Sequence, residues 1–173
     1  MYHALYASPV GKLRIVADDI ALKQLWLPNE VERRAPDADW IESVTHPIIA
    51  SVMHILTEYF AGNAVDFNTI PCEPEGSEFQ QAVWQQLRDI GYADVVNYGT
   101  IATAVGRPRG AQAVGGAVGA NPIAIILPCH RVLGKDGSLT GYAGGLDVKK
   151  ALLALEGIPY KESYQEKILE LPL

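Results

Sequence analysis

Between Asn97 and Gly119 the chain offers two short helical segments broken by Gly106 and Pro108, and the second is made almost wholly of small residues. Asn97 can cap a helix over residues 98–105. Gly106 and Pro108 stop it, and a second helix over residues 110–119 follows a tight turn. Two short helices joined by a glycine-containing turn form a helix-turn-helix pattern. The second helix contains Ala111, Ala113, Gly115, Gly116 and Ala117, although each helical glycine costs about 1 kcal/mol relative to alanine. Such a helix is a poor choice for stability alone. It suits a place where backbone must come close to another surface, whether a neighbouring helix or a ligand.

The segments on either side differ in kind. Alternation and turn residues predict strands over 3–6, 13–17 and 22–27, with turns at Pro9-Val10-Gly11 and Asp18-Asp19. Residues 29–39 are charged, contain Pro36 and read as a loop. Ile48, Val52, Ile55, Leu56 and Tyr59 repeat at helical spacing after Pro47, and Gly62 is a stop. Pro71-Cys72-Glu73-Pro74-Glu75-Gly76 is a linker by composition. Ser77 and Gln80 then make a capping box for a helix with Phe79, Val83, Leu87 and Ile90 inward. The expected organisation is an α/β N-terminal domain with a small antiparallel sheet (1–75). A mostly α C-terminal domain carrying a winged-helix-like helix-turn-helix follows (76–173). The tail offers only Leu169-Glu170-Leu171, expected to pack on the core.

Chemistry is concentrated at Pro128-Cys129-His130-Arg131-Val132, after the apolar run Ile123-Ala124-Ile125-Ile126-Leu127, which reads as a strand. An isolated cysteine is most often a buried hydrophobe. A thiol beside an imidazole can instead become a thiolate nucleophile, although adjacent side chains on a strand point oppositely. His130 needs an orienting partner to act as a base. Glu156 is a candidate: it ends a helix over Leu146–Leu155, just before Gly157, where a carboxylate opposes the helix dipole by about 0.3–1 kcal/mol. A solvated terminal glutamate is the alternative. Gly115-Gly116-Ala117-Val118-Gly119 lacks the lysine and hydroxyl ending of a phosphate loop, so no nucleotide cofactor is expected. Cys72 and Cys129 are far apart and the four histidines show no ligand spacing, so no metal is expected. Cys72 reads as structural.

The 173 residues are 49% hydrophobic, enough for one domain or two small ones. No run approaches the roughly 20 apolar residues that span a bilayer, no signal segment is evident, and two cysteines suit a reducing compartment. A cytoplasmic, monomeric protein without membrane association is expected. Net charge is −6, which argues against indiscriminate nucleic-acid binding. Residues 98–150 nevertheless carry +4 and the remainder −10, so a basic surface that meets phosphates is compatible with the sequence.

Val83-Trp84, Asn97-Tyr98, Ala113-Val114-Gly115-Gly116-Ala117, Asn121-Pro122, the Pro128–Val132 motif, Gly141-Tyr142, Gly144-Gly145, Leu152-Leu153 and Glu156-Gly157 occur in order. In this the chain resembles the O6-alkylguanine-DNA alkyltransferase (methylated-DNA–protein-cysteine methyltransferase) family from about Phe79 to Gly157, and more loosely over the first ~70 residues. The resemblance implies stoichiometric transfer of an alkyl group from O6 of guanine, or O4 of thymine, in double-stranded DNA to Cys129, without a cofactor. It implies that His130 takes the thiol proton through a water and that Glu156 orients the histidine. Asn121 would brace the active-site turn. Tyr98 would turn the 3′ phosphate and face guanine N3. Tyr142 would wall the base pocket, the carbonyls of Cys129 and Val132 would accept the guanine amino group, and the amide of Ala143 would donate to O6. Ala111, Gly115 and Ala117 would lie on the DNA-facing helix, and the basic segment would supply phosphate contacts from Arg107, Arg109, Arg131 or Lys135. The family usually carries arginine where Gln112 stands, filling the space of the extruded base. That departure implies slower repair in duplex DNA, and it keeps a competing reading open, a damage sensor that binds alkylguanine without transfer.

Overall fold

A computed structural model describes residues 1–162; the segment holding Leu169-Glu170-Leu171 lies outside the described residues. The N-terminal half opens with strands β1 (Tyr2–Ser8), β2 (Gly11–Ala17) and β3 (Leu22–Trp26). β1 and β2 form a hairpin in which Ser8 pairs with Gly11. Gly11 has φ +119°, a left-handed value that glycine adopts without a Cβ clash. Helix α1 (Pro28–Arg33) follows directly, then β4 (Ile41–Glu42) and helix α2 (Pro47–Phe60). The strand order is β3-β2-β1-β4. β4 adds in parallel to β1, so the sheet is mixed where an antiparallel one was expected.

α1 corrects the reading of 29–39 as a loop throughout. Pro28 supplies the preset φ of a first helical turn, and Glu30 pairs with Arg34 at 3.1 Å, one turn on. α2 buries Ile49, Val52, Leu56 and Tyr59 against β1 and β2, with Ile48 and Ile55 half-buried at its flanks.

The C-terminal half contains α3 (Glu78–Arg88), β5 (Val96–Asn97), α4 (Tyr98–Ala104), α5 (Ala111–Gly119), β6 (Val132–Leu133) and α6 (Leu146–Leu155). Ser77 and Gln80 make both bonds of the capping box, and Val83, Trp84 and Leu87 face inward. Asn97 caps α4 through the Thr100 amide at 2.9 Å. α3, α4 and α5 pack on one another, and Trp84 Nε1 donates to the α5 carbonyl of Ala117 at 2.8 Å.

The apolar run 123–127 is not a strand. Only Ile123 bridges, to Leu25, and the rest is turn backbone with Ile125 at φ +70°. A short buried apolar run looks the same as strand or as buried turn, because periodicity records only which side chains are inside. The turn is built onto the sheet: Leu25 N–H donates to Pro122 O at 2.9 Å, and Leu22 exchanges backbone bonds with Pro71 and Glu73 at 2.8 and 2.9 Å. One core cluster runs through both halves, from Leu13 and Leu25 through Val52 and Leu56 to Val83, Ile123, Val132 and Leu152. Among the described residues no helix is long and apolar enough to cross a membrane.

Candidate active site

Cys129 opens a single 3-10 turn, Cys129–Arg131, at the exit of the 123–127 turn. Asn121 holds that turn from both ends. Its side-chain nitrogen donates to Leu127 O at 2.8 Å, and its oxygen accepts from the Ile123 amide at 2.9 Å. Those backbone groups belong to buried residues without a sheet ladder, so the amide side chain does the work of a neighbouring strand. It also holds Ile125 in a left-handed conformation that costs about 1–2 kcal/mol for a residue with a Cβ.

The thiol is buried, 8% exposed. Burial pushes its pKa up, and the Asn121 and Tyr142 side chains and the charge of Lys149 only partly offset that. Cys129 therefore rests as a thiol, and a nucleophile at this position needs a base to take the proton during reaction.

His130 is fully buried. Its Nε2 lies 2.5 Å from Glu156 Oε2. Glu156 also accepts from Tyr59 Oη at 2.6 Å, Arg131 Nε at 2.8 Å and the Ala93 amide at 3.0 Å. Burial alone would raise the Glu156 pKa, but the hydrogen bond from His130 and the charge His130 carries once protonated, with the Tyr59 and Ala93 donors, bring it down to about 2. The carboxylate is thus an acceptor at neutral pH, and Nε2 must carry the imidazole proton. Nδ1 then holds the lone pair. It is buried and makes no hydrogen bond among the described residues. Burial lowers the pKa of His130 against the opposing pull of Glu156, while the Arg131 and Lys149 charges lower it further. The pair rests as neutral imidazole and carboxylate.

Arg131 is a correction. It is 2% exposed, pairs with Glu156 and donates from Nη1 to Ile90 O at 2.7 Å. It lies inside the protein and is unavailable to phosphate, because the buried carboxylate needs a fixed counter-charge. Ala117 is a second correction: at 4% exposure it faces the core beside Trp84. The open face of α5 carries Ala111, Gln112, Ala113 and Gly116, with Gly115 half-buried beside them. Arg107, Arg109 and Lys135 are exposed, and Arg107 lies over the Phe79 ring, 4.4 Å from its centroid.

A cavity of about 290 Å³ brings together Cys129, Asn121, Tyr98, Gly115, Tyr142 and Ala143. The Tyr98 hydroxyl meets Thr140 Oγ1 at 2.7 Å. Val132 does not line the cavity, and its carbonyl already accepts from Lys149 Nζ at 2.8 Å. Lys149 is buried, also bonds Thr140 Oγ1 at 3.0 Å, and its pKa is lowered by burial to about 8. Tyr59, Lys149 and Thr140 were not singled out as site residues from the sequence. Helical spacing placed Tyr59 inward and puts Lys149 on one face with Leu152, Leu153 and Glu156. A polar residue in that register is the available clue.

Comparison with other proteins identifies the family of this chain. Residues 78–158 match the DNA-binding domain of the 6-O-methylguanine DNA methyltransferase family, and residues 1–74 match its ribonuclease-like domain. The methylated-DNA–protein-cysteine methyltransferase of Haemophilus influenzae is 46% identical over 160 residues, covering 92% of this chain and 88% of its own. The chain belongs to the 6-O-methylguanine DNA methyltransferase family. The methyltransferase of that type from Methanosarcina acetivorans is 42% identical over 91% of this chain and 99% of its own. The crystal structure of Mycobacterium tuberculosis OGT in complex with DNA superposes with a TM-score of 0.80 at 38% identity, covering 90% of this chain and 92% of that one. The two-domain methyltransferase fold is therefore that of this chain.

Proposed function

We propose that the protein repairs DNA by moving an alkyl group from O6 of guanine onto Cys129, once per molecule. The observation that carries this reading is a buried thiol lining a base-sized cavity while a neutral, carboxylate-oriented imidazole follows it in the chain. His130 Nδ1 takes the thiol proton through a bridging water. The sulfur attacks the alkyl carbon, the carbon–O6 bond breaks, and its electron pair passes into the purine. Tyr98, held by Thr140, supplies a proton or hydrogen bond at guanine N3 and improves the leaving group. The product is a thioether, which thiol exchange does not reverse. O4-alkylthymine presents the same kind of exocyclic ether and is a second substrate in this reading.

The target base must leave the stack to reach Cys129. The small-residue face of α5, flanked by Arg107 and Arg109, suits close contact with a duplex, and the OGT–DNA complex of the M. tuberculosis relative supports it. Incubation with duplex DNA containing O6-methylguanine should add the mass of one methyl group to the Cys129 peptide, and Cys129→Ser should abolish the gain. Tight binding without any gain would favour a damage sensor.

Gln112 stands exposed in the first turn of α5. A neutral amide fills the extruded base's place less well than a guanidinium and offers no ionic hydrogen bond to the orphaned partner. Support at this step counts against an unstacking cost of a few kcal/mol, so Gln112→Arg should speed transfer in duplex DNA about tenfold. Single-turnover rates on duplex and on free O6-methylguanine base separate the effect: only the duplex rate should rise. Equal duplex rates would refute it.

A further inference from the structure

We infer that Asn29, on helix α1 of the N-terminal half, is a specificity-determining positioning residue for the base pocket. This rests on the alkyl-transfer reading above and extends it to the size of the O6 substituent. The segment Gly141–Gly145 supplies one wall of the cavity through Tyr142, Ala143 and Gly144. It contains three glycines and has no regular structure, and its internal brace is the Gly145 amide on Tyr142 O at 2.9 Å. A wall of that composition keeps its place only if something outside it holds it.

α1 provides that hold. Asn29 Nδ2 donates to Ala143 O at 2.8 Å, and among the described residues this is the side-chain hydrogen bond from the N-terminal half to the segment. Leu27 packs so closely on Gly144 that a Cβ there would collide with it. Leu27 and Asn29 themselves line the cavity, so α1 is both a wall and the clamp on the wall beside it. The helix is fixed in turn. Pro28 fills the space over Gly11, where a Cβ would stand 2.8 Å from its ring. Arg34, past the helix end, pairs with Glu30 and stacks 4.2 Å from the Trp26 ring centroid. Asn29 thus sets how far the Tyr142–Gly144 wall stands from Cys129, and a firmly held wall favours small substituents over bulky ones.

The test is single-turnover transfer to the full chain, measured by Cys129 mass gain with O6-methylguanine duplex and with O6-benzylguanine base, for wild type, Asn29→Ala and Asn29→Gln. Loss of one positioning hydrogen bond should raise the benzyl-to-methyl rate ratio of Asn29→Ala about fivefold. Asn29→Gln, which keeps the amide donor, should recover part of the wild-type ratio. The melting temperature should stay close to wild type, because the bond lies at the surface. An unchanged ratio, or equal loss on both substrates tracking a lower melting temperature, would overturn the role of Asn29. Wild type gaining no mass from either substrate would instead overturn the alkyl-transfer reading itself.

Discussion

Glu156→Ala should destabilise the protein by about 3–5 kcal/mol, the range for removing one partner of a buried ion pair. Four donors converge on that carboxylate: His130 Nε2, Tyr59 Oη, Arg131 Nε and the Ala93 amide. Alanine would leave each without its acceptor and would leave the Arg131 cation buried beside Ile90 with no counter-charge. Tyr59→Phe removes one donor and leaves the ion pair intact, so it should cost only about 1 kcal/mol. Urea unfolding of the three proteins checks the ordering; a Glu156→Ala loss no larger than that of Tyr59→Phe would contradict it. The carboxylate also leaves a signature in pH. Its folded pKa of about 2 lies below its ordinary 4.5. Its contribution is therefore complete above the unfolded value and fades as pH falls from 4.5 toward 2. In Glu156→Gln that acid limb of the stability curve should be missing.

The second large effect is kinetic. His130→Ala should slow transfer about a hundredfold to ten-thousandfold, the usual contribution of a positioned general base. The thiol rests protonated because burial raises its pKa, and the imidazole rests neutral because burial lowers its own. Wild type should therefore keep its rate at and somewhat below pH 6.5, since the free lone pair of Nδ1 persists there. The variant lacks the imidazole and depends on ionisation of the thiol itself. Its rate should climb with pH through the alkaline range, past the ordinary cysteine value of 9.0. Profiles of the same shape for both proteins would remove His130 from the proton path. A purely structural role would lower the rate evenly at every pH.

Much of this was legible in the residues. The helices at Pro47–Phe60 and Leu146–Leu155 have the bounds that spacing and their stop glycines predict. The capping box at Ser77 forms as read. Gly157 adopts φ +71° as a residue just past a helix end should. Local chemistry sets these features, so local sequence reveals them. The misreadings share the opposite cause. Ile123–Leu127 is apolar whether it pairs in a ladder or folds into a turn held by Asn121, and the difference lies in a side-chain amide outside the run. Arg131 looked like a phosphate contact because it belongs to the basic segment 98–150, and its inward course follows from a carboxylate 25 residues away in the chain. Tyr59 and Asn29 come to the site from the other half of the molecule, at separations of 97 and 114 residues from their partners. No pattern within a window reports such a meeting.

The indole of Trp84 grips the back of α5 through the Ala117 carbonyl, while the front of that helix is alanine, glycine and one glutamine. A helix so poor in intrinsic propensity borrows its rigidity from α3 behind it. Backed in this way, it would meet a groove as a preformed surface. In the proposed DNA complex the shape change would then fall on the nucleic acid, and sequences that bend or unstack easily would be the cheaper ones to open.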